Sequence, residues 1–201
     1  APDYTGRVTV PVLWDKHQQK IVSTESSEII RMFNSAFNHI TGDNKYYYPD
    51  ELAQDIDELN AFIYDNLNNG VYKTGFSRTQ EAYDASVVNV FKALDRIEEI
   101  LSNSRFLIGD QITEADWRLL PTLVRFDVGY FSAFKCNLKA LRDYQAISRY
   151  LQELVLVPGV ADTIDLDVYR NGYHSKSEIR NPHGIVPIGL KPAFQLPQTA
   201  I

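Results

Sequence analysis

The 201-residue sequence predicts a mainly α-helical protein that begins with a short β-hairpin. Two observations support this prediction. β-Branched residues are concentrated in the segments 7–15 and 20–23. After these segments, apolar residues recur at the three- and four-residue spacing that places them on one face of a helix. Because two strands alone are marginally stable in water, we expect the hairpin to need partners that these residues do not supply.

The helical periodicity is clearest in three segments. Residues 25–37, 50–69 and 80–103 each carry an apolar stripe with gaps of three or four residues. The third stripe consists of Tyr83, Val87, Val90, Leu94, Ile97 and Leu101. Gly70 is predicted to end the second helix, because glycine is common just beyond helix C-termini. We expect all three stripes to pack in the core.

A capping pattern predicts that a further helix begins at residue 113. The Thr113 side chain can accept from the helix N-terminus, and Asp116 can bond back to the Thr113 backbone. Ile112 and Trp117 occupy the positions of a hydrophobic staple. The pattern therefore predicts a helix that runs toward Phe126.

The C-terminal third is predicted to hold one or two helices between residues 138 and 162, broken near Pro158-Gly159, and then an extended tail. The tail begins at residue 181 and contains four prolines and two glycines. From Arg170 to the end, the sequence contains four basic residues and one acidic residue, a net charge of +3. Because the whole chain has a net charge of −6, the first 169 residues carry a net charge of −9. Two interpretations follow: a solvated basic tail, or a tail that packs on an acidic partner or on its own body.

Composition argues against several classes of protein. The 26 acidic residues exceed the 20 basic ones, which disfavours a nucleic-acid binder. No apolar run approaches the roughly 20 residues of a membrane helix. The single cysteine excludes an internal disulfide and a cysteine-based zinc site and favours a cytoplasmic location. The four histidines lack metal-ligand spacing, and no glycine-rich nucleotide motif occurs, so we expect neither a metal nor a nucleotide.

The order of the motifs resembles that of a glutathione transferase. The segment Val10-Pro11-Val12-Leu13 is followed by Glu25-Ser26 at a predicted helix start. The spacing Gly109-x-x-x-Thr113-x-Ala115-Asp116 is similar to the capping box of that family's long core helix. Either motif alone is a weak signal, whereas the two together, in this order and about 90 residues apart, are fairly specific.

More of the chain resembles one class of these proteins, the Xi class or glutathionyl-hydroquinone reductases. The segments that carry the likeness are RVTVPVLWD (7–15), ESSEIIRMFN (25–34), NGVYKTGF (69–76), LVRFD (123–127), FKC (134–136) and NPHGI (181–185). The resemblance implies four parts. Residues 1–38 would be the last hairpin and helix of a thioredoxin-like domain, 39–49 a linker, 50–180 an all-helical transferase C-terminal domain and 181–201 an extended tail.

The resemblance also implies a glutathione site in the N-terminal part. A cis peptide bond at Pro11 would turn the backbone of Val10 outward, where it can pair with the cysteinyl part of glutathione. Ser26 would offer its hydroxyl and backbone amides to the γ-glutamyl carboxylate, which the helix N-terminus also attracts. Glu25 would meet the ammonium group of the same ligand. Without the resemblance, Pro11 would be an ordinary trans proline and Ser26 a helix-capping residue.

Three tyrosines are implied to form the hydroquinone site. They are Tyr72, Tyr130 and Tyr173, and Tyr72, in the GVYK motif, would act in proton transfer. A phenol can hydrogen-bond a hydroquinone oxygen, and its ordinary pKa near 10 makes it an acid at neutral pH. The residues alone would indicate core or rim tyrosines. His174, next to Tyr173, is expected to be solvent-exposed, with a supporting role behind Tyr173 as the alternative.

The implied reaction needs a cysteine thiolate near a helix N-terminus. Cys136 lies in a segment that does not carry the family's nucleophile, and its apolar neighbours predict a buried residue. We therefore expect the chain to correspond to the C-terminal two-thirds of a reductase. Two functions stay open. One is a homodimeric, glutathione-dependent reductase of glutathionyl-hydroquinones or similar small aromatics, and the other is a non-catalytic transferase-like binding or assembly module.

Overall fold

The computed structural model describes residues 3–6 and 8–197 and is mainly α-helical, as predicted. It divides into two compact units, Ala1–Ala53 and Gln54–Ile201. The domain boundaries expected from the sequence stay predictions. In the described part of the chain, no helix combines the length and apolar character needed to cross a bilayer.

The first unit contains an antiparallel hairpin of β1 (Leu13–Asp15) and β2 (Lys20–Ser23). The carboxylate of Asp15 accepts hydrogen bonds of 2.8 Å from the backbone of His17 and of Gln18, which closes the turn. The expectation of a strand from residue 7 is wrong for residues 8–12, because Pro11 has no N–H to donate to a ladder. Arg7 lies outside the described residues.

Two helices follow the hairpin, α1 (Ser26–Ser35) and α2 (Asn38–Thr41). The entry to α1 is fixed by the buried Ser23. Its hydroxyl accepts a 3.0 Å bond from the Glu25 backbone and donates a 2.7 Å bond to Glu28 in the first helical turn. The polar segment that was expected to be a linker from residue 39 begins within the short helix α2 rather than as irregular chain.

One nearly continuous helical stretch follows, and most of it belongs to the second unit. A 3₁₀ turn at Asp50–Leu52 leads into α3 (Ala53–Ile63), a π-helical turn (Tyr64–Asn68) and α4 (Gly70–Gly75). The prediction that Gly70 ends this helix is wrong. A Cβ at Gly70 would lie 3.1 Å from the side chain of Val90, so the glycine allows close helix packing instead.

The central helix α5 (Gln80–Asn103) has the predicted bounds. Its apolar stripe is buried except for the partly exposed Tyr83. Helix α5 also caps helix α8 (Gln145–Val155). The carboxylate of Glu98 on α5 accepts hydrogen bonds from the backbone of Ala146 at 2.9 Å and of Ile147 at 2.8 Å. These bonds satisfy donors that the start of α8 cannot satisfy itself.

Helix α6 (Glu114–Arg125) begins with the predicted capping box. The buried carboxylate of Asp116 accepts from the backbone and hydroxyl of Thr113, at 2.7 and 3.0 Å. It also accepts from the backbone of Leu107 and the hydroxyl of Tyr150, both at 3.0 Å. Burial raises the pKa of Asp116, and the four hydrogen bonds oppose that shift. One side chain thus joins the cap of α6, the preceding loop and α8.

The remaining elements differ from the prediction in one respect. After α6 come a π-helical turn (Phe126–Tyr130), α7 (Phe131–Ala133), 3₁₀ turns on either side of α8, and α9. Helix α9 (Leu166–Tyr173) was not predicted, and its N-terminus is capped by Asp165. Leu166, Tyr169 and Tyr173 stand at helical spacing and pack on the core, but the helix is only eight residues long.

The tail has no helix or strand within residues 182–197, as expected. It nevertheless packs on the helical unit. Phe194 is buried in the core cluster, and the backbone of Gln195 exchanges two hydrogen bonds with the amide of Gln152, at 2.8 and 3.1 Å. The contacts of this part of the tail are therefore apolar and amide contacts rather than the charge contacts that its basic residues suggested.

The Asp116 network generates a stability prediction. Thr113→Ala is expected to lower the free energy of unfolding by about 1–2 kcal/mol through loss of the cap. Asp116→Ala leaves the buried donors of Leu107, Thr113 and Tyr150 without an acceptor. Each such donor costs roughly 1–3 kcal/mol, so the loss should reach about 3 kcal/mol or more. The measurement is urea denaturation, with the denaturant slope unchanged between variants.

Thr79→Ala is the matched control. Thr79 caps α5 from an exposed position, where its hydroxyl accepts from the Ala82 backbone at 3.2 Å. Its loss should cost about 1 kcal/mol or less, because water replaces the missing bond. Equal losses in the Thr79 and Asp116 variants would contradict the central position of Asp116.

Candidate functional site

The structure brings together the three tyrosines that the sequence analysis singled out. Tyr72 lies on α4, Tyr130 ends the second π-helical turn and Tyr173 ends α9. The Tyr173 hydroxyl is 3.1 Å from that of Tyr72 and 2.9 Å from that of Tyr130. Three elements widely separated in sequence therefore form one chain of hydroxyl groups, with Tyr173 in the middle.

Two phenylalanines complete this aromatic cluster, and sequence reasoning did not select them. Phe134 stacks on Tyr130 with ring centroids 5.4 Å apart, and Phe76 lies 5.5 Å from Phe134. Phe76 also stacks on Tyr72, at 6.1 Å. A signal was available, since Phe76 closes the GVYKTGF segment and Phe134 opens FKC. We call the three tyrosines and two phenylalanines the tyrosine cluster.

Two glycines permit the close packing of these rings. A Cβ at Gly75 would lie 2.3 Å from the Phe134 ring, and a Cβ at Gly129 would lie 2.6 Å from the Tyr173 ring. Both distances are shorter than any side chain tolerates. The absence of a side chain at these two positions therefore sets how near α4 and the π-helical turn come to their aromatic neighbours.

The cluster has a buried end and an exposed end. Tyr130 is only 3% exposed, whereas Tyr72 is 37% and Phe76 54% exposed. Burial raises the pKa of Tyr173 to about 12 and raises that of Tyr130 further above its ordinary value. Both phenols therefore stay protonated at neutral pH. They can serve as hydrogen-bond donors toward the exposed end, where a ligand can arrive.

A buried histidine holds the element that carries Tyr173. His174 Nε2 lies 2.8 Å from the Ser132 hydroxyl of α7, and His174 Nδ1 lies 2.8 Å from the Arg170 carbonyl oxygen. The expectation of a solvent-exposed His174 is wrong, because both ring nitrogens face partners inside the protein. The alternative, a supporting position behind Tyr173, matches this geometry.

The π-helical turn also carries a buried acid that sequence reasoning missed. Asp127 Oδ1 accepts a 3.0 Å bond from the Leu141 backbone, while Asp127 Oδ2 is buried with no partner among the described residues. Burial raises the pKa of Asp127 to about 6. This carboxyl ties the turn that ends in Tyr130 to the segment that follows α7.

The residues expected to bind glutathione lie in the first unit. The Val10–Pro11 peptide bond is cis, in agreement with the resemblance. Val10 is 91% exposed, and Glu25 and Ser26 are also exposed. Glu25 is the N-cap of α1 but makes no side-chain cap bond, and Ser26 is the first helical residue. Their polar groups are therefore accessible to a ligand, and their role stays a prediction.

Cys136 is buried, as predicted. Its side chain has no exposed surface, and burial raises the pKa of its thiol to about 12. Almost no thiolate exists at neutral pH under these conditions, so this residue has the properties of a packing group rather than of a nucleophile. Among residues 3–6 and 8–197, no group of histidine, cysteine and acidic side chains could hold a metal ion.

Comparison with known proteins gives a consistent result. Residues 80–153 match the family model for the glutathione S-transferase C-terminal domain. The glutathionyl-hydroquinone reductase YqjG of Escherichia coli K12 is 52% identical over 188 residues, which cover 94% of this chain and 57% of YqjG. The chain thus spans little more than half the length of that relative.

Solved structures agree with the sequence comparison. The glutathione-bound structure of E. coli YqjG superposes with a TM-score of 0.91 at 51% identity, covering 94% of this chain and 62% of that one. The Xi glutathione transferase of Phanerochaete chrysosporium also gives a TM-score of 0.91. It is 49% identical, and the match covers 97% of this chain and 67% of that structure.

The helical unit is therefore that of a glutathione transferase, built around the C-terminal domain typical of these proteins. More narrowly, the chain belongs to the Xi class of glutathione transferases, in which relatives are named glutathionyl-hydroquinone reductases. The motif resemblance found in the sequence is confirmed at the level of the family.

The glycine packing generates a second prediction. Gly129→Ala should displace the Tyr173 ring and lower the free energy of unfolding by about 1–3 kcal/mol, the cost of overpacking a core. Gly172→Ala is the control, since a Cβ there meets nothing within 4 Å and alanine favours a helix. Near-ultraviolet circular dichroism should change only for Gly129→Ala. Identical stability and spectra for both variants would contradict the described packing.

Proposed function

We propose that this chain supplies the aromatic acceptor site of a glutathione-dependent reductase that acts on glutathionyl-hydroquinones. One observation carries the proposal. Tyr72, Tyr130 and Tyr173 form a continuous chain of hydroxyls that begins at a buried residue and ends at an exposed one. The names of the relatives agree with this function, since E. coli YqjG is called a glutathionyl-hydroquinone reductase.

The proposed chemistry is a thiol transfer. A thiolate attacks the sulfur of the glutathionyl group, the bond between sulfur and the ring carbon breaks, and the ring takes both electrons and needs a proton. Tyr72, as the exposed phenol, supplies that proton or hydrogen-bonds the ring oxygen. A mixed disulfide remains, and a second glutathione thiolate resolves it to oxidised glutathione. The ring leaves as a hydroquinone.

Within this proposal, the attacking thiol lies outside these 201 residues. Cys136 is unsuitable because it is buried and because its thiol is protonated at neutral pH. The same observation favours the second candidate function, a non-catalytic transferase-like binding or assembly module, for the chain by itself. A homodimeric state and a cytoplasmic location are further parts of the proposal that rest on the family resemblance.

The glutathione site is proposed to consist of Val10, Pro11, Glu25 and Ser26. Three features support it: the exposed Val10 before the cis peptide bond to Pro11, the Ser26 hydroxyl in the first turn of α1, and a Glu25 carboxylate that is not used for capping. A helix N-terminus favours a bound carboxylate. The glutathione-bound structure of the E. coli relative shows that a protein of this class binds the tripeptide.

Turnover of a glutathionyl-hydroquinone by the protein that includes the thiol-bearing segment tests the reaction. Tyr72→Phe should lower kcat about 100-fold or more, because a general acid contributes at least that much. Tyr64→Phe, a change at an exposed tyrosine outside the cluster, should leave kcat unchanged. Cys136→Ala should retain most of the activity. Loss of activity in a folded Cys136→Ala protein would instead make Cys136 the nucleophile and overturn the assignment.

Binding of reduced glutathione to the same protein tests the second site. Ser26→Ala should weaken binding by about 1–3 kcal/mol, the range for a hydrogen bond to a charged group. Ser35→Ala, at the other end of α1, provides the control and should leave the affinity unchanged. Isothermal titration calorimetry gives both values. If Ser26→Ala and Ser35→Ala bind equally, Ser26 does not hold the γ-glutamyl group.

A further inference from the structure

An arginine lies over the exposed end of the tyrosine cluster. Arg180 follows α9, and its guanidinium carbon is 4.9 Å from the ring centroid of Phe76 and 5.8 Å from that of Phe134. Its side chain is exposed, as is that of Phe76. A cation therefore stands beside the aromatic and hydroxyl groups that form the proposed acceptor site.

The segment that carries Arg180 is fixed to the helical unit. Ser177 and Asn181 exchange backbone hydrogen bonds of 3.1 and 2.9 Å across the turn. The Asn181 amide donates to the carbonyl oxygens of His174, at 2.6 Å, and of Ile185, at 3.0 Å. Because His174 is itself buried against α7, these bonds hold the Arg180 backbone close to the cluster.

Arg180 also differs from other arginines of this chain in its partners. Arg105, Arg118, Arg149 and Arg170 each form an ion pair with a carboxylate. In the part of the chain that the structure describes, the Arg180 side chain makes no ion pair and no hydrogen bond. Its guanidinium keeps its full charge and its five N–H donors in a planar fork. Such a fork binds a carboxylate through two parallel hydrogen bonds.

We propose that Arg180 and Phe76 form a subsite that selects aromatic acceptors carrying a carboxylate on the ring. The inference rests on the proposed function and names its substrate class. The acceptor ring lies on the exposed aromatic surface of Phe76 and Tyr72, its hydroxyl bonds to Tyr72, and its carboxylate pairs with the free donors of Arg180. Carboxylated hydroquinones are then preferred over neutral ones of the same shape.

Two ligands that differ only in charge test the subsite by binding. They are 2,5-dihydroxybenzoate, a hydroquinone with a ring carboxylate, and its uncharged methyl ester. Calorimetry on the protein that includes the thiol-bearing segment should show the carboxylate binding roughly tenfold or more tightly, since hydrogen bonds to charged groups are worth about 1.5–3 kcal/mol. Arg180→Gln should remove this preference and leave the affinity for the ester nearly unchanged.

The control and a conservative variant sharpen the result. Arg96→Gln removes another exposed arginine that lies over a ring, 4.2 Å from the centroid of Phe62, and should leave both affinities unchanged. Arg180→Lys should retain part of the preference, because the charge remains while the planar fork is lost. If Arg180 acted only through its contact with the Phe76 ring, Arg180→Gln would lower the affinities for the carboxylate and for the ester equally.

Three outcomes would overturn the proposal. They are equal binding of the two ligands by the unmodified protein, an unchanged preference in Arg180→Gln, and a preference that disappears when reduced glutathione is present. The last outcome would mean that Arg180 binds a carboxylate of the tripeptide rather than of the ring. The Tyr72→Phe turnover assay uses a glutathionyl-hydroquinone without a carboxylate on its ring, so a failure of this subsite can be distinguished from a failure of the proposed function.

Discussion

The structure of the helical unit depends on one buried carboxylate. Asp116 receives four hydrogen bonds from three parts of the chain, and in doing so it fixes the start of α6, the loop before it and the position of α8. A charge or polar group without partners is costly in such an interior, so these bonds have to form together. The later elements, among them the turn that carries Tyr130, are laid out from this fixed helix start.

The tyrosine cluster shows how long-range packing creates a site from ordinary residues. Tyr72, Tyr130 and Tyr173 lie on elements that do not adjoin in sequence, and two of these elements follow or contain π-helical turns. Such turns occur often at functional sites because they change the direction in which the following side chains point. The missing side chains at Gly75 and Gly129 then let the rings approach. Neither feature leaves a period in the sequence.

Local signals explain what could be predicted. The stripe of α5 and the capping box at Thr113 are encoded by near neighbours, and both were predicted at the correct positions. Helix α9 is only eight residues long, so its apolar spacing is a weak signal. Gly70 is a residue type common at helix ends, but in the structure it makes a close packing contact with Val90. The burial of His174 depends on a partner 42 residues away. The candidate tyrosines came from motif likeness alone, and their contact distances required the structure.

The chain of phenols has a direction. Each hydroxyl carries one proton, and three hydroxyls share two contacts, so two protons are engaged inside the cluster and one is left over. Tyr130 is enclosed, and its hydroxyl contacts that of Tyr173 at 2.9 Å. The arrangement that keeps the interior oxygens paired has Tyr130 donating to Tyr173, and Tyr173 donating to Tyr72. The remaining hydroxyl proton is then that of Tyr72, the most exposed of the three tyrosines. The buried phenols thus orient the Tyr72 hydroxyl as a hydrogen-bond donor at the protein surface.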